Sequence, residues 1–467
     1  MREGLLTKGF VFGIIILFVG TSIIPAVWGD RTHNNSSEQS GNFSTDWWAM
    51  FHHDSNHSGY STSSAPETNT TVWVSNVYDA IIESSPAVVE GKVYIGSSYK
   101  MICFDAESGA QLWQYEVGDY IGTSPAVIDG KVYFGSQDCK VYCLDATTGT
   151  LIWNYTTDDF ILSSPTVVNG KVYIGSSDGK LYCLNAQNGT KIWEYLIGYQ
   201  IVPSPVVSNG KVYFGCAIRQ IYCLDADTGN QLWNQTIGSM SSSPAIENGK
   251  LFCITYDSHN VTWDIHCLNA DNGSSIWVHS NLSSMTSSPA VAYGNVYVGS
   301  YDNNVYCFDA ITGVKIWNYT TGNHTRSSPA IADGKIYIGS DDYKIYCLDA
   351  HTGVKIWEYT TGLWIDSSPA IADGKVYIGS YDGRVYCFGN QLESKQAFIF
   401  GRYTNLTEEN GYITIEAINL RLIFFNPFKY LHYIDGETIT FSANESKFIQ
   451  ILFFRFQFII GMIYVIT

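Results

Sequence analysis

The chain has 467 residues, a formal net charge of −17, 45% hydrophobic residues and only 15% charged residues. That length exceeds one average domain and suits a large repeat domain with a small appendage. No cluster of Lys and Arg offers a phosphate-neutralising surface, which excludes nucleic acid as a partner, and the acidity favours a soluble, self-repelling surface.

Residues 1–29 have the pattern of an export signal. Arg2 and Lys8 precede a long apolar run that ends near Val27, where small residues form a cleavage position. The run is long for a cleaved signal, so a membrane anchor is the alternative. Residues 30–45, rich in Asn, Ser and Gly, are predicted to be a linker.

Glycosylation sequons support an extracellular or cell-surface location, because N-x-Ser/Thr sites accept glycans only outside the cytosol. They include Asn42, Asn56, Asn69, Asn154, Asn188, Asn318, Asn323 and Asn405.

A repeat of about 40 residues dominates residues 46–390 and indicates a repeat architecture. Each unit carries a Ser-Pro element and, in step with it, a tryptophan. The prolines are Pro86, Pro125, Pro165, Pro205, Pro244, Pro289, Pro329 and Pro369. The tryptophans are Trp73, Trp113, Trp153, Trp193, Trp233, Trp277, Trp317 and Trp357.

The unit from Ser163 to Tyr195 shows how one repeat folds. Four short runs with β character are separated by tight-turn signals such as Asn169-Gly170 and Asn188-Gly189. One such four-stranded antiparallel sheet cannot bury its apolar face alone. Eight of them therefore predict an all-β fold, an eight-bladed β-propeller.

The ends of the repeat region predict how the ring closes. The last unit stops at Phe388 without a tryptophan strand, whereas a surplus tryptophan strand around Trp73 precedes the first complete unit. We therefore expect residues 71–75 to be the outermost strand of the last blade, so that no free edge opens the ring.

The eight tryptophans are predicted to pack between neighbouring blades, because they recur in every repeat and a ligand site would not. Eight cysteines also recur once per blade and are predicted to be small buried hydrophobes, since facing sheets lie about 10 Å apart, too far for a disulfide. They are Cys103, Cys143, Cys183, Cys223, Cys267, Cys307, Cys347 and Cys387.

One blade is irregular, with a five-residue insertion near residues 257–264. Folding its hairpin by analogy with the regular unit places Cys253 opposite Cys267. In an oxidising compartment these two cysteines are predicted to form a cross-strand disulfide.

The run CysLeuAspAlaThrThrGlyThrLeuIleTrp, Cys143 to Trp153, and its seven relatives resemble the tryptophan-docking motif of the pyrroloquinoline quinone (PQQ) repeat family. The resemblance covers residues 46–390 and implies a propeller. The family includes quinoprotein alcohol dehydrogenases, which use PQQ and calcium, and non-enzymatic propellers such as the outer-membrane assembly lipoprotein. This chain lacks the adjacent cysteine pair and the long insertions of the dehydrogenases. It is similar in style to the non-enzymatic members, which implies a non-enzymatic protein without a cofactor.

The most variable position of the repeat predicts a binding site. The residue five before each Ser-Pro proline lies in the loop that enters the innermost strand, near one mouth of the central channel. Because the last blade abuts the first, an apolar and aromatic arc forms there and suits a protein, peptide or glycan. The arc consists of Ile81, Tyr120, Phe160, His324 and Trp364, whereas the opposite side of the mouth is small and polar.

Charged residues cluster three positions before the same proline on blades one, seven and eight. Glu83, Arg326 and Asp366 either form structural ion pairs or orient a ligand there.

The lead-in segment, residues 48–59, precedes the first repeat and carries His52, His53, Asp54 and His57. These residues resemble a metal cluster in composition, but their spacing suits no common motif and predicts no metal site.

Residues 391–467 are predicted to form a small β-rich domain with an apolar tail from Phe448 onward. The tail is either a pair of buried strands or a membrane anchor. Strands are favoured, because Arg455 within a membrane span would be costly.

Three functions remain open. The first is an exported, surface-displayed or membrane-tethered monomeric propeller whose rim binds protein, peptide or glycan. The second is a PQQ-dependent quinoprotein dehydrogenase of reduced form, and the third is a purely structural component of the cell envelope.

Overall fold

A computed structural model describes residues 46–77, 81–258, 262–285 and 287–390, and the backbone of strands between residues 395 and 465. The predicted export segment (1–29) and linker (30–45) lie outside the described residues. Eight four-stranded antiparallel sheets follow one another around a ring, which confirms the predicted propeller. Within the described residues, no helix is long and apolar enough to cross a membrane.

The eight blades are numbered in chain order. The strands of each blade are given from the innermost, at the central channel, to the outermost. Blades one to four comprise Ala87–Val89, Lys92–Ser97, Lys100–Asp105 and Gln111–Glu116; Ala126–Ile128, Lys131–Ser136, Lys140–Asp145 and Leu151–Thr156; Thr166–Val168, Lys171–Gly175, Lys180–Asn185 and Lys191–Leu196; and Val206–Ser208, Lys211–Gly215, Gln220–Asp225 and Gln231–Thr236. Blades five to eight comprise Ala245–Glu247, Lys250–Asp257, Thr262–Asn269 and Ser275–Leu282; Ala290–Ala292, Asn295–Gly299, Asn304–Asp309 and Lys315–Thr320; Ala330–Ala332, Lys335–Gly339, Lys344–Asp349 and Lys355–Thr360; and Ala370–Ala372, Lys375–Ser380, Arg384–Gly389 and Thr71–Asn76.

The outermost strand of blade eight comes from the start of the repeat region. Thr71–Asn76 pairs antiparallel with Arg384–Gly389, so strands from the two ends of the propeller share one sheet. A short strand, Tyr60–Ser61, also runs parallel to Ala330–Ala332 on the channel side of blade seven. The pairing of Thr71–Asn76 with Arg384–Gly389 closes the seam of the ring.

Each tryptophan of the repeat links its own blade to the next one. The indole Nε1 of Trp193 in blade three donates to the carbonyl oxygen of Ala226 in blade four at 3.2 Å, and the Tyr173 hydroxyl donates to the same oxygen at 2.9 Å. The indole covers Gly229, where an added Cβ would lie 2.7 Å from the ring. Only glycine therefore fits beneath the indole.

The serine of each Ser-Pro element belongs to a closed ring of hydrogen bonds around the channel. The backbone N–H of each serine donates to the hydroxyl of its counterpart in the next blade, at 2.9 to 3.0 Å. The members of the ring are Ser85, Ser124, Ser164, Ser204, Ser243, Ser288, Ser328 and Ser368. A buried donor that no strand satisfies is thereby paired in every blade.

The predicted disulfide between Cys253 and Cys267 is wrong. Cys253 pairs across the hairpin with His266, whereas Cys267 pairs with Phe252, and both cysteines are free. Adjacent positions on a strand point to opposite faces, so the two thiols face different neighbouring blades. The analogy failed by one residue, because in the regular hairpin Ile174 lies opposite Tyr182 and not opposite Cys183.

The C-terminal region forms a four-stranded antiparallel sheet, in agreement with the predicted β-rich domain. Its strands are ordered Tyr433–Ser442, Tyr412–Phe424, Lys395–Glu409 and Ile459–Val465. Part of the apolar tail is therefore strand, since Lys395 pairs with Val465 and Gly401 with Ile459.

Breaking one link of the serine ring should measurably destabilise the propeller. In Ser204→Ala the buried N–H of Ser164 loses its acceptor, and we expect the free energy of unfolding to fall by about 1–3 kcal/mol in chemical denaturation. Thr147→Ala, at an exposed turn position, is the control and should change stability little. Equal stability of the two variants would show that the ring does not contribute.

Candidate functional site

The lead-in segment lines the central channel along the free edges of the innermost strands. In six blades one backbone N–H of the innermost strand donates to a lead-in carbonyl oxygen at 2.7 to 2.9 Å. The donor and acceptor pairs are Val88 and Trp48, Val127 and Ala49, Val207 and Ser55, Ile246 and Asn56, Val291 and Ser58, and Ile331 and Gly59. The segment thus satisfies donors that would otherwise face the channel.

Histidines of the lead-in segment differ sharply in their surroundings. His52 and His57 are buried with ring centroids 6.4 Å apart, and burial lowers their pKa values to about 3 and about 4. Burial also opposes protonation of His53, but its hydrogen bond with Asp46, at 3.0 Å, and its ion pair with Asp54, at 3.7 Å, raise its pKa to about 9. Across the described part of the chain, no group of three or more His, Cys, Asp or Glu side chains is arranged to hold a metal ion.

The rim residues lie on loops that contact the turn between the second and third strands of a blade. The carbonyl oxygens of Tyr120, Phe160 and Trp364, for example, accept the N–H groups of Gln137, Ser177 and Tyr381 at 2.8 to 2.9 Å. The same contact holds the loops of seven blades, so variation at this position changes the side chain that is presented there.

Three residues of the predicted arc are exposed and two are half-buried. The side chains of Ile81, Phe160 and Trp364 are 43%, 47% and 42% exposed. Tyr120 and His324 are partly covered. The arc therefore presents apolar side chains to solvent from the loops entering blades one, three and eight.

The three charged positions belong to one network. Arg326 Nη1 lies 3.3 Å from Asp366 Oδ2, and its Nε lies 3.3 Å from Asp341 Oδ2. The Tyr381 hydroxyl lies 3.0 Å from Asp366 Oδ2 and also bonds to Glu83. Asp341 and Tyr381 were not predicted from the sequence, although both lie at the same kind of turn in neighbouring blades.

The network has more negative than positive charge and unused acceptors. Burial and the neighbouring Asp366 raise the pKa of Asp341 to about 6, despite the attraction of Arg326. The Oδ1 atoms of both aspartates are buried without a hydrogen-bond partner. The network thus contains three carboxyl groups, those of Glu83, Asp341 and Asp366, and one guanidinium, an arrangement that favours a donor or cation from a ligand.

The sequence predicted small, polar residues on the opposite side of the mouth, but the structure also places aromatic side chains there. The insertion in blade five extends two strands to eight residues each and places Tyr256 beside Trp263, with ring centroids 5.4 Å apart. These aromatic side chains wall a pocket of about 240 Å³ at the loops entering blades four and five. The five-residue insertion was the signal in the sequence that could have located it.

Comparison with known proteins finds one family model that matches most of the propeller. The model of outer membrane protein assembly factor BamB matches residues 59–214, 199–266 and 261–388. No curated protein matches the chain.

Solved structures share the fold at low sequence identity. BamB from Moraxella catarrhalis is 20% identical with a TM-score of 0.59, covering 69% of this chain and 99% of that one. The quinohemoprotein alcohol dehydrogenase from Comamonas testosteroni is 16% identical with a TM-score of 0.64, covering 74% and 81%. The computationally designed Ika8 protein is 16% identical with a TM-score of 0.61, covering 68% and 99%.

The buried His52 should make the propeller sensitive to acid. His52 stays neutral in the fold down to about pH 3, whereas in the unfolded chain its pKa is about 6.5. Unfolding between these values takes up a proton, so the free energy of unfolding falls as the pH falls. In His52→Phe, which keeps a ring against Phe51, this slope should decrease by about 1.4 kcal/mol per pH unit.

Denaturation of both proteins between pH 6 and pH 4 checks this expectation. The slope is the readout for two reasons. Asp341 contributes a slope of opposite sign that is the same in both proteins. Any strain from the new side chain changes the free energy of unfolding equally at every pH and leaves the slope unchanged. An unchanged slope would mean that His52 is already protonated or solvated in the fold.

Proposed function

The chain belongs to the family of the outer membrane protein assembly factor BamB, and from this we propose that it is a binding propeller whose channel mouth holds a protein partner. The observation that carries the proposal is the exposed apolar arc beside a buried, negatively charged network. Tryptophan and tyrosine anchors next to such desolvated polar groups are typical of the energetic centre of a protein interface.

The arc is well ordered for binding. Trp364 packs against Tyr381 with ring centroids 5.9 Å apart, and Tyr381 is itself fixed by Asp366 and Glu83. Arg326 is held over the ring of Tyr301 at 5.2 Å. Side chains that are already positioned lose little conformational entropy when a partner binds.

The excess of carboxylates suggests the chemistry of the partner. A Lys or Arg side chain would be attracted by the excess negative charge of Glu83, Asp341 and Asp366. Its apolar neighbours would contact the exposed faces of Trp364 and Ile81. We therefore favour a polypeptide with basic and apolar residues over a glycan.

We also propose that the protein works outside the cytosol and without PQQ. The apolar run in residues 1–29, the sequons and the name of the family support a protein that works outside the cytosol. For a quinoprotein dehydrogenase the residues fit poorly: the sequence has no adjacent cysteines, and the described residues include no cluster arranged for a metal ion such as calcium.

Site-specific photo-crosslinking in the native host tests the proposal. A benzoylphenylalanine at position 160 or 364 of the full chain should give one discrete protein adduct. The same group at position 192 or 232, on exposed apolar positions of outer strands, should not. In co-purification without a crosslinker, Phe160→Ala combined with Trp364→Ala should reduce recovery of that partner by about tenfold or more, since each hot-spot truncation costs at least about 2 kcal/mol.

Two results would overturn the proposal. One is equal crosslinking from the rim and from the outer strands. The other is turnover of alcohols or sugars, followed by dye reduction, after the purified protein is titrated with PQQ and calcium, because the mouth would then be an active site.

A further inference from the structure

Blade five carries a structural addition at the channel mouth that the other blades lack. Its second and third strands, Lys250–Asp257 and Thr262–Asn269, have eight residues each, whereas the corresponding strands elsewhere have five or six. The loop entering the blade is bonded to this extension, because Ser239 and Tyr256 exchange both backbone hydrogen bonds at 2.8 and 3.0 Å. The extension is therefore fixed to the rim.

The pocket beside this extension is predominantly apolar. Val202, Met240, Tyr256 and Trp263 supply most of its wall, and Ala217, Gln200, Ser239 and Ser241 complete it. The Ser239 hydroxyl already donates to the carbonyl oxygen of Ala217 at 2.8 Å. Among the residues that the structure describes, no charged side chain lines the pocket, so a ligand finds few hydrogen-bonding groups there.

The size of the pocket limits its occupant. Pockets for drug-sized molecules measure roughly 300–1,000 Å³. A volume of about 240 Å³ is smaller, and suits one aliphatic or aromatic side chain. A sugar of that size would bury hydroxyl groups without enough partners, which is unfavourable.

We infer that this pocket receives a single apolar side chain, such as Leu or Phe, from the polypeptide that docks on the mouth. The inference rests on the proposed function and adds a second anchor point to it. Gln200 and Ser239 hold, on blades four and five, the loop position that Phe160 holds on blade three, so the pocket begins at the blade next to the end of the arc.

Charge near the pocket also favours a neutral anchor. Asp257 on the extension pairs with Arg219 at 3.1 Å, and Asp264 lies one residue beyond Trp263. With a net charge of −17 for the chain, an acidic segment would be repelled. The apolar side chain is thus expected to lie within a neutral or basic stretch of the partner.

Methionine methyl resonances provide a direct test on the full chain. Met240 lines the pocket, whereas Met101 is buried in blade one, away from it. With methyl-labelled methionine, N-acetyl-leucinamide and N-acetyl-phenylalaninamide at millimolar concentrations should shift the Met240 signal in a saturable way and leave Met101 unchanged. Met240→Leu assigns the signal.

Two variants and one control make the test specific. Trp263→Ala should weaken binding of both amides by about tenfold or more, and Ser241→Trp should block the pocket from its exposed side. Leu232→Ala, on an outer strand, should bind as the wild type does. An unchanged Met101 signal shows that each variant is folded.

The outcomes separate this inference from the proposed function. A Met240 shift with N-acetyl-lysinamide or methyl glucoside at equal concentrations would overturn the assigned ligand class, and no shift with the apolar amides would overturn the site. Rim crosslinks that weaken but persist in Trp263→Ala, together with loss of amide binding, are expected if both proposals hold. Loss of rim crosslinks in Phe160→Ala should leave amide binding intact.

Discussion

At every blade junction one carbonyl oxygen accepts an indole N–H from the preceding blade, and at six of the eight junctions the same oxygen also accepts a tyrosine hydroxyl. The ring depends on this acceptor. At Ala226 the donors are Trp193 and Tyr173, at 3.2 and 2.9 Å. The contact ties the outermost and second strands of one blade to the turn of the next, so packing and hydrogen bonding fix the same angle between blades. At the seam, where the last blade has no such turn, the carbonyl oxygen of Pro66 takes this role.

The fold could be predicted from sequence because its signals are local and repeated eight times. Tight-turn residues and the spacing of Ser-Pro and tryptophan define strands, blades and seam without any knowledge of distant contacts. The register between strands is harder to predict, since an error of one residue moves a side chain to the other face of the sheet. The predicted cross-strand partner of Cys253 was wrong for this reason. The serine ring and the course of the lead-in segment depend on which backbone groups meet across the channel, and no local pattern encodes that.

The candidate site was predicted only in outline. Position within the repeat translates into position around the mouth, so Glu83, Arg326 and Asp366 could be placed on neighbouring blades. Their connection through Tyr381 depends on the reach of one side chain from another loop, which spacing does not give. The pocket in blade five was missed for a related reason. An insertion is visible in a sequence, but whether its residues fold over the mouth or away from it is decided by packing with Met240 and the rim loop.

The lead-in segment that lines the channel also constrains how the protein can be made. It leaves the ribosome before every blade it contacts, and its carbonyl groups can be paired only after the six blades that supply the donors have been synthesised. Thr71–Asn76 can pair only after Arg384–Gly389, the last strand of the propeller, has been synthesised. Such distant pairings slow folding and leave intermediates exposed. The earliest part of the propeller to be synthesised is thus among the last to settle, and a truncated chain that lacks blade eight would keep an open seam.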